Sequence, residues 1–245
     1  MGPLFIPALF LVLSSHPDSP GSNPFERDVV KTSGGDLTIT FIGHGTLMME
    51  YKGTVIHVDP VPRYADYDKL PKAGMVLVTH HHGDHFDVPT INKIRTEKTV
   101  VIIPKVCDPS ITGGTVMNNG DVRTFGDITV ESVPAYNLIH KRDDGSPFHP
   151  KGEGNGYVLT IGGTRIYIAG DTENTPEMKA QKKIDIAFLP MNLPYTMTPE
   201  MVADAAKGFR PKVLYPYHYG DTDPQKLVGL LKNEKGIEVR VRKMR

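Results

Sequence analysis

Met75-Val76-Leu77-Val78-Thr79-His80-His81-His82-Gly83-Asp84-His85 joins two unlike pieces of chain: an unbroken apolar run and, directly after it, four histidines within six residues. A short continuous apolar run bounded by turn signals reads as a strand buried on both faces. Where such a strand stops, the backbone can curl. Side chains at i, i+2, i+4 and i+5 then converge on a small volume instead of alternating across a sheet. Gly83 permits the tight backbone that this needs. Neutral imidazoles with one carboxylate suit Zn²⁺ or another borderline divalent ion, bound at about 2.0–2.2 Å. With ten histidines in 245 residues, a His-x-His-x-Asp-His arises by chance in on the order of one chain in a thousand. Its place at the end of a core strand, and not in a tail, sets it apart from a solvated polyhistidine stretch.

Outward from this motif the chain reads as short strands between turns. Leu37–Ile42 is one. Leu47–Tyr51 and Thr54–Val58 form a hairpin around Lys52-Gly53 that ends at Asp59-Pro60. Val100–Ile103 and Ile128–Val133 follow. A second hairpin, Gly156–Ile161 and Thr164–Ala169, turns at Gly162-Gly163 and ends at Gly170-Asp171. Ile184–Leu189 and Val213–Tyr217 close the series. Gly35-Asp36-Leu37-Thr38-Ile39 matches Gly126-Asp127-Ile128-Thr129-Val130, and each leads to a hairpin whose last strand stops at an aspartate. Two similar β-then-α halves are the expectation. Thr198-Pro199 opens a helix over 200–208, Asp223-Pro224 one running to about Lys235 with Gly236 as its stop, and Pro89 one over Thr90–Lys98. Grouped strands with a few helices predict helices packed outside two sheets. No linker interrupts the chain, so residues 26–245 read as a single domain.

Composition narrows the function classes. Apolar residues at 39% and charged residues at 23% describe a globular protein, not a disordered, collagen-like or coiled-coil one. Lys+Arg and Asp+Glu are 28 each, so no overall field draws the chain to nucleic acid or a membrane surface. The single cysteine, Cys107, excludes an intramolecular disulfide framework and a Cys-rich zinc site. Leu4–Leu13 is far short of the roughly 20 residues a membrane span needs. It resembles the apolar core of an export signal, followed by a Ser/Pro/Gly-rich linker, although no Lys or Arg precedes it. Residues 1–25 are read as a signal-like or disordered segment outside the fold, and export is favoured over a cytoplasmic location. Serine-nucleophile, Walker-type and dinucleotide fingerprints are absent from the sequence.

The His-x-His-x-Asp-His motif, with Gly43-His44-Gly45, Asp59-Pro60, Gly170-Asp171-Thr172 and His218-Tyr219-Gly220, resembles the metallo-β-lactamase-fold superfamily over roughly residues 37–245. The similarity is to its metal-dependent hydrolase branch, which includes L-ascorbate-6-phosphate lactonase-like proteins. It implies an α/β (α+β) chain folded as a four-layer αββα sandwich of two similar β-rich halves with helices outside. It further implies two divalent metal ions, zinc foremost, with manganese or iron as alternatives. His80 and His82 would bind one ion, Asp84 and His85 the other. Asp171 would bridge the two, His218 would complete the second site, and Asp59 would orient a ligand from behind. One more histidine is expected for the first ion. His149, in the fixed-looking turn Pro147-Phe148-His149-Pro150, is preferred to His140, which runs into Lys141-Arg142-Asp143-Asp144.

Such an ion pair turns water into hydroxide near neutral pH, and that hydroxide would attack an ester-type bond, a lactone or a phosphodiester, in a small molecule or lipid. Asp84 would orient the nucleophile and shuttle its proton. A di-iron oxidoreductase of the same fold and a non-catalytic metal-binding protein are the alternatives; the former typically has a carboxylate where His82 stands. Asn137–Gly156 reads as a long mobile loop beside the metals, a natural substrate lid. Lys141, Arg142 and Lys151 on it would meet an anionic substrate or merely solvate the loop. His44 is a pocket residue or a turn residue, and His57, inside a strand, is read as packed.

Overall fold

The computed structural model describes residues 24–245. The signal-like segment foreseen at 1–25 falls outside them but for its last two residues. Four strands, β1 (Glu26–Thr32), β2 (Gly35–Gly43), β3 (Thr46–Tyr51) and β4 (Thr54–Val58), run antiparallel. Then β5 (Met75–Leu77), β6 (Val100–Ile103) and β7 (Thr115–Val116) extend the sheet in parallel. A second sheet repeats the plan. Its antiparallel strands are β8 (Val122–Phe125), β9 (Ile128–Ala135), β10 (Gly154–Ile161) and β11 (Thr164–Ile168), and β12 (Ile186–Pro190), β13 (Val213–Tyr217) and β14 (Glu238–Val239) follow in parallel. The short internal match falls on β2 and the start of β9, which hold equivalent places in the two sheets.

Parallel neighbours need crossover connections, and α-helices supply four of the six: α1 (Val88–Ile94) between β5 and β6, α2 (Pro176–Lys179) between β11 and β12, α3 (Pro199–Phe209) between β12 and β13, and α4 (Gln225–Leu231) between β13 and β14. Alternation assigns the layers. Met75, Leu77 and Ile102 face the core between the sheets. Val76, Val78, Val101 and Ile103 face the other way, onto Ile91 and Ile94 of α1. That is why the run from Met75 is apolar at every position. On the second sheet Tyr167 meets Phe209 of α3 edge-on at 5.9 Å. Between the sheets Phe41 packs on Tyr215 at 5.0 Å, and Tyr215 stacks on Phe188 at 5.1 Å. The order is helix, sheet, sheet, helix.

Two of the three expected helices are shorter than the sequence suggests, and the third, α3, extends one residue beyond each expected end. Asp87 caps α1 by accepting from the Thr90 N–H at 2.7 Å, and the helix ends at Ile94 where Arg95 turns extended. Thr198 caps α3 as expected, accepting from the Met201 N–H at 3.2 Å. The last helix stops at Leu231; Gly236, at φ +87°, serves a separate turn before β14. Strands β1, β7, β8 and β14 went unforeseen. Two of them have only two residues, β8 is largely exposed, and β1 buries Asp28 and Val30 with no alternating apolar face, so none carries a periodic apolar signal. No helix among the described residues is long and apolar enough to cross a membrane.

Candidate metal centre

The chain leaves parallel strands at one rim of the sandwich, and the chemistry-bearing residues follow those exits. Past β5, Thr79 N–H donates to Asp59 Oδ1 at 2.7 Å and Thr79 Oγ1 to Asp59 Oδ2 at 2.6 Å. The same stretch is tied to the other sheet: Tyr157 Oη donates to the Val78 carbonyl at 2.7 Å, and the Asn155 N–H to the Thr79 carbonyl at 2.8 Å. Both sheets therefore fix where the curl over His80–His85 begins. Asp171 follows β11, His218 follows β13, and His44 sits in the turn between β2 and β3. His44, Asp59 and His218 all have positive φ, at 54°, 45° and 48°. Left-handed backbone costs a non-glycine residue about 1–3 kcal/mol and concentrates at functional sites.

Asp171 is the hub. Its carboxylate lies 3.3 Å from His218 Nε2, 3.4 Å from His149 Nε2, 3.4 Å from His85 Nε2 and 3.9 Å from His80 Nε2. Two nitrogen-rich groups flank it: His80, His82 and His149 on one side, and Asp84, His85, His218 and His44 on the other. In the first, His80 Nε2 faces His82 Nδ1 at 3.1 Å. In the second, Asp84 Oδ2 lies 3.2 Å from His44 Nε2, 3.8 Å from His218 Nε2 and 3.9 Å from His85 Nε2.

Partners behind the rings set which nitrogen faces inward. Asp59, fully buried, accepts from His85 Nδ1 at 2.7 Å, so Nε2 presents its lone pair to the cluster. Asn137 Oδ1 does the same for His149, accepting from both its backbone N–H and its Nδ1 at 2.8 Å. Asn137 is itself held: its amide donates to the Tyr195 carbonyl at 2.9 Å and to Glu173 Oε1 at 3.2 Å. Buried Glu173 also accepts from the backbone N–H groups of Leu138, Ile139 and His140, at 2.6–2.7 Å, and from His140 Nδ1 at 2.6 Å. The segment foreseen as a mobile lid is thus tied down at its base by one carboxylate. His140 is spent on that anchor, whereas His149 is the one brought to the cluster.

The electrostatics describe a cluster short of positive charge. Burial pulls His80 well below its ordinary value, and burial with His149 beside it pulls His82 down to about 4. Burial also opposes charge on His218, but Asp171 and Asp84 outweigh it and hold the imidazole up to about 10. The Asp171 carboxyl is kept well below the usual range, because His218 and His85 overcome its burial. Meanwhile His85 Nε2, Asp171 Oδ1 and both ring nitrogens of His218 are buried without a hydrogen-bond partner. Orphaned buried polar atoms are rare. Convergent ring nitrogens left without partners beside a carboxylate are what a cation would satisfy, so the donor set fits divalent metal.

Above the cluster opens a cavity of about 480 Å³, lined by His44, Arg63, Asp84, Arg142, Phe148 and Asn192 among others. Tyr195 borders it, whereas the Tyr219 hydroxyl donates to the Arg242 carbonyl at 2.8 Å. Lys151 turns to Glu177 at 2.7 Å, and His57 is fully buried. Asn137, Glu173 and Arg63 escaped the sequence reading. Asn137 and Glu173 act through backbone and side chains brought together only by the fold, and Arg63 carries no local motif. The turn Gly43-His44-Gly45 did carry a signal for His44. A Cβ at Gly45 would come within 2.5 Å of His85, so the glycine makes room for that ring.

Comparison with known proteins agrees with this geometry. Residues 38–218 match the model of the beta-lactamase superfamily domain. A UPF0173 metal-dependent hydrolase of Koribacter versatilis is 35% identical over 201 residues, 75% of this chain and 84% of that protein. One from Geobacillus thermodenitrificans is 32% identical, covering 80% and 93%. Among solved structures, a protein of Parabacteroides distasonis crystallised under the description of a metal-dependent hydrolase superposes with a TM-score of 0.86 at 48% identity, covering 90% of this chain and all of that one. The chain belongs to the metallo-β-lactamase superfamily and is an enzyme of its metal-dependent hydrolase branch.

Proposed function

We propose that this hydrolase holds two divalent ions, zinc foremost, and cleaves an ester-type bond, a lactone or a phosphodiester, in a small molecule or lipid. The observation that carries the reading is the position of Asp171, one carboxylate within 3.3–3.9 Å of imidazoles from both flanking groups. His80, His82 and His149 would hold one ion, and Asp84, His85 and His218 the other, with Asp171 shared between them. When bound, such ions supply an ionised water near neutral pH and a Lewis acid for the oxygen that gains charge. The protein's own groups do the rest. Asp59 and Asn137 fix the tautomers of His85 and His149. Asp84, kept ionised by the His218 and His44 imidazoles against its burial, orients the attacking water and takes its proton at Oδ2. Among the described residues no Ser or Cys nucleophile lines the cavity, in keeping with direct attack by water.

Turnover of lactone and phosphodiester panels by zinc-, manganese- and iron-loaded protein tests this reading. Hydrolysis abolished by chelation and restored by added metal is expected. Hydrolysis that survives complete metal removal, or no hydrolysis of either ester class by loaded protein, overturns it.

A further inference from the structure

Two arginines line the cavity without belonging to the cluster beneath it. Arg63 comes from the loop after β4 and Arg142 from the segment between β9 and β10. Each guanidinium lies over an aromatic ring, Arg63 over Tyr64 at 5.7 Å and Arg142 over Phe148 at 5.0 Å. Each ring is braced in turn. Tyr64 stacks on His44 at 5.3 Å with 17° between planes, and Phe148 meets Tyr195 edge-on at 5.1 Å. One arginine thus stands beside the His44–His218 side of the cluster, the other beside His149. Arg142 also donates to the Phe148 carbonyl at 3.3 Å.

Neither arginine forms an ion pair among the described residues, although both are exposed and the protein carries as many acids as bases. Arginines set on aromatic faces keep their donor edges free, and a guanidinium fork matches carboxylate and phosphate oxygens. Among the described residues the only carboxylates lining the cavity, Asp84 and Asp171, are committed to the cluster. A volume of about 480 Å³ suits a small molecule, with room for more than the reacting group.

We infer that the substrate carries a second anionic group, a phosphate or a carboxylate remote from the bond that is cut, and that Arg63 and Arg142 hold it. The inference rests on the hydrolase reading for which end of the ligand faces the cluster. It can nevertheless fail separately, because binding tests it without turnover.

Three probes share a carboxylate at one end and differ at the other: gluconate ends in a neutral hydroxyl, glucarate in a carboxylate, and 6-phosphogluconate in a phosphate. Calorimetric titration into zinc-loaded wild type and into the double variant Arg63→Met/Arg142→Met compares them, with metal content measured on both proteins. Wild type should bind glucarate or 6-phosphogluconate at least about tenfold more tightly than gluconate. The probe with the greater advantage identifies the anion, and the double variant should lose most of that advantage. Equal binding of all three, no measurable binding of any, or an advantage that survives in the double variant overturns the inference. Gluconolactone and its 6-phosphate are assayed for hydrolysis in parallel. Anion-selective binding without hydrolysis would count against the ester reading alone.

Discussion

Replacing Asn137 by alanine should weaken metal binding without touching a ligand. Asn137 Oδ1 accepts two hydrogen bonds from His149, from N and from Nδ1, both at 2.8 Å. His149 is 5% exposed, so water cannot replace both contacts. An unsatisfied buried donor costs about 1–3 kcal/mol, and some of that will appear as lower stability in urea. The rest appears at the metal. With nothing fixing its tautomer, His149 no longer presents Nε2 reliably to the cluster, and loss of such an outer partner typically weakens a metal by about 10–100-fold. Competition with a chromophoric chelator for zinc reads that factor directly. His140→Ala provides the control: its ring also hydrogen-bonds Glu173, at 2.6 Å, but lies outside the cluster. It should cost some stability and leave zinc affinity within about twofold. An Asn137→Ala protein that is folded and binds zinc as tightly as wild type would refute the reasoning.

Three further outcomes are expected. His149→Ala should lose about one metal equivalent by mass spectrometry while His140→Ala keeps both; the reverse pattern would return the ligand role to His140. Gly45→Ala should push His85 out of place, since its Cβ would lie 2.5 Å from that ring, with metal content falling more than fold stability; unchanged content would show that the turn can yield. Stability should fall in mild acid because of His57, whose fully buried ring is held down to about 4 by burial, partly offset by its hydrogen bond to the Pro71 carbonyl. The unfolded chain takes up that proton near pH 6.5 and the folded protein only near 4, so acid favours unfolding by up to about 3 kcal/mol across that window. Urea titrations of wild type and His57→Gln between pH 7 and 4 check it: the variant's stability should decline less steeply with acid, and equal slopes would contradict the assignment.

What could be read from the sequence follows what physics makes local. The strand before His80 announces itself because both its faces are buried, leaving no polar position in Met75–Val78. The matched hairpins and the aspartates that end them place Asp59 and Asp171 in advance, because a strand exit is where a fold exposes a side chain. Pro147 to Pro150 likewise marked His149 as the more rigid of two histidines. The supporting residues left no such trace. Glu173 acts on backbone more than thirty residues away, and no spacing rule links a buried carboxylate to N–H groups that loop closure brings to it. Edge strands such as β7 and β14 are short, and their pairing comes from the neighbour strand, not from their own residues. Taking Gly236 as the stop overstated α4, because that glycine belongs to a later turn.

The proposed function depends on cations being held around Asp171. Metal per chain, measured by inductively coupled plasma mass spectrometry on protein as purified and again after stripping and dialysis against zinc, addresses this most directly. Close to two equivalents, retained through gel filtration, is the expected result. A folded chain that emerges from both preparations with no bound transition metal would contradict it.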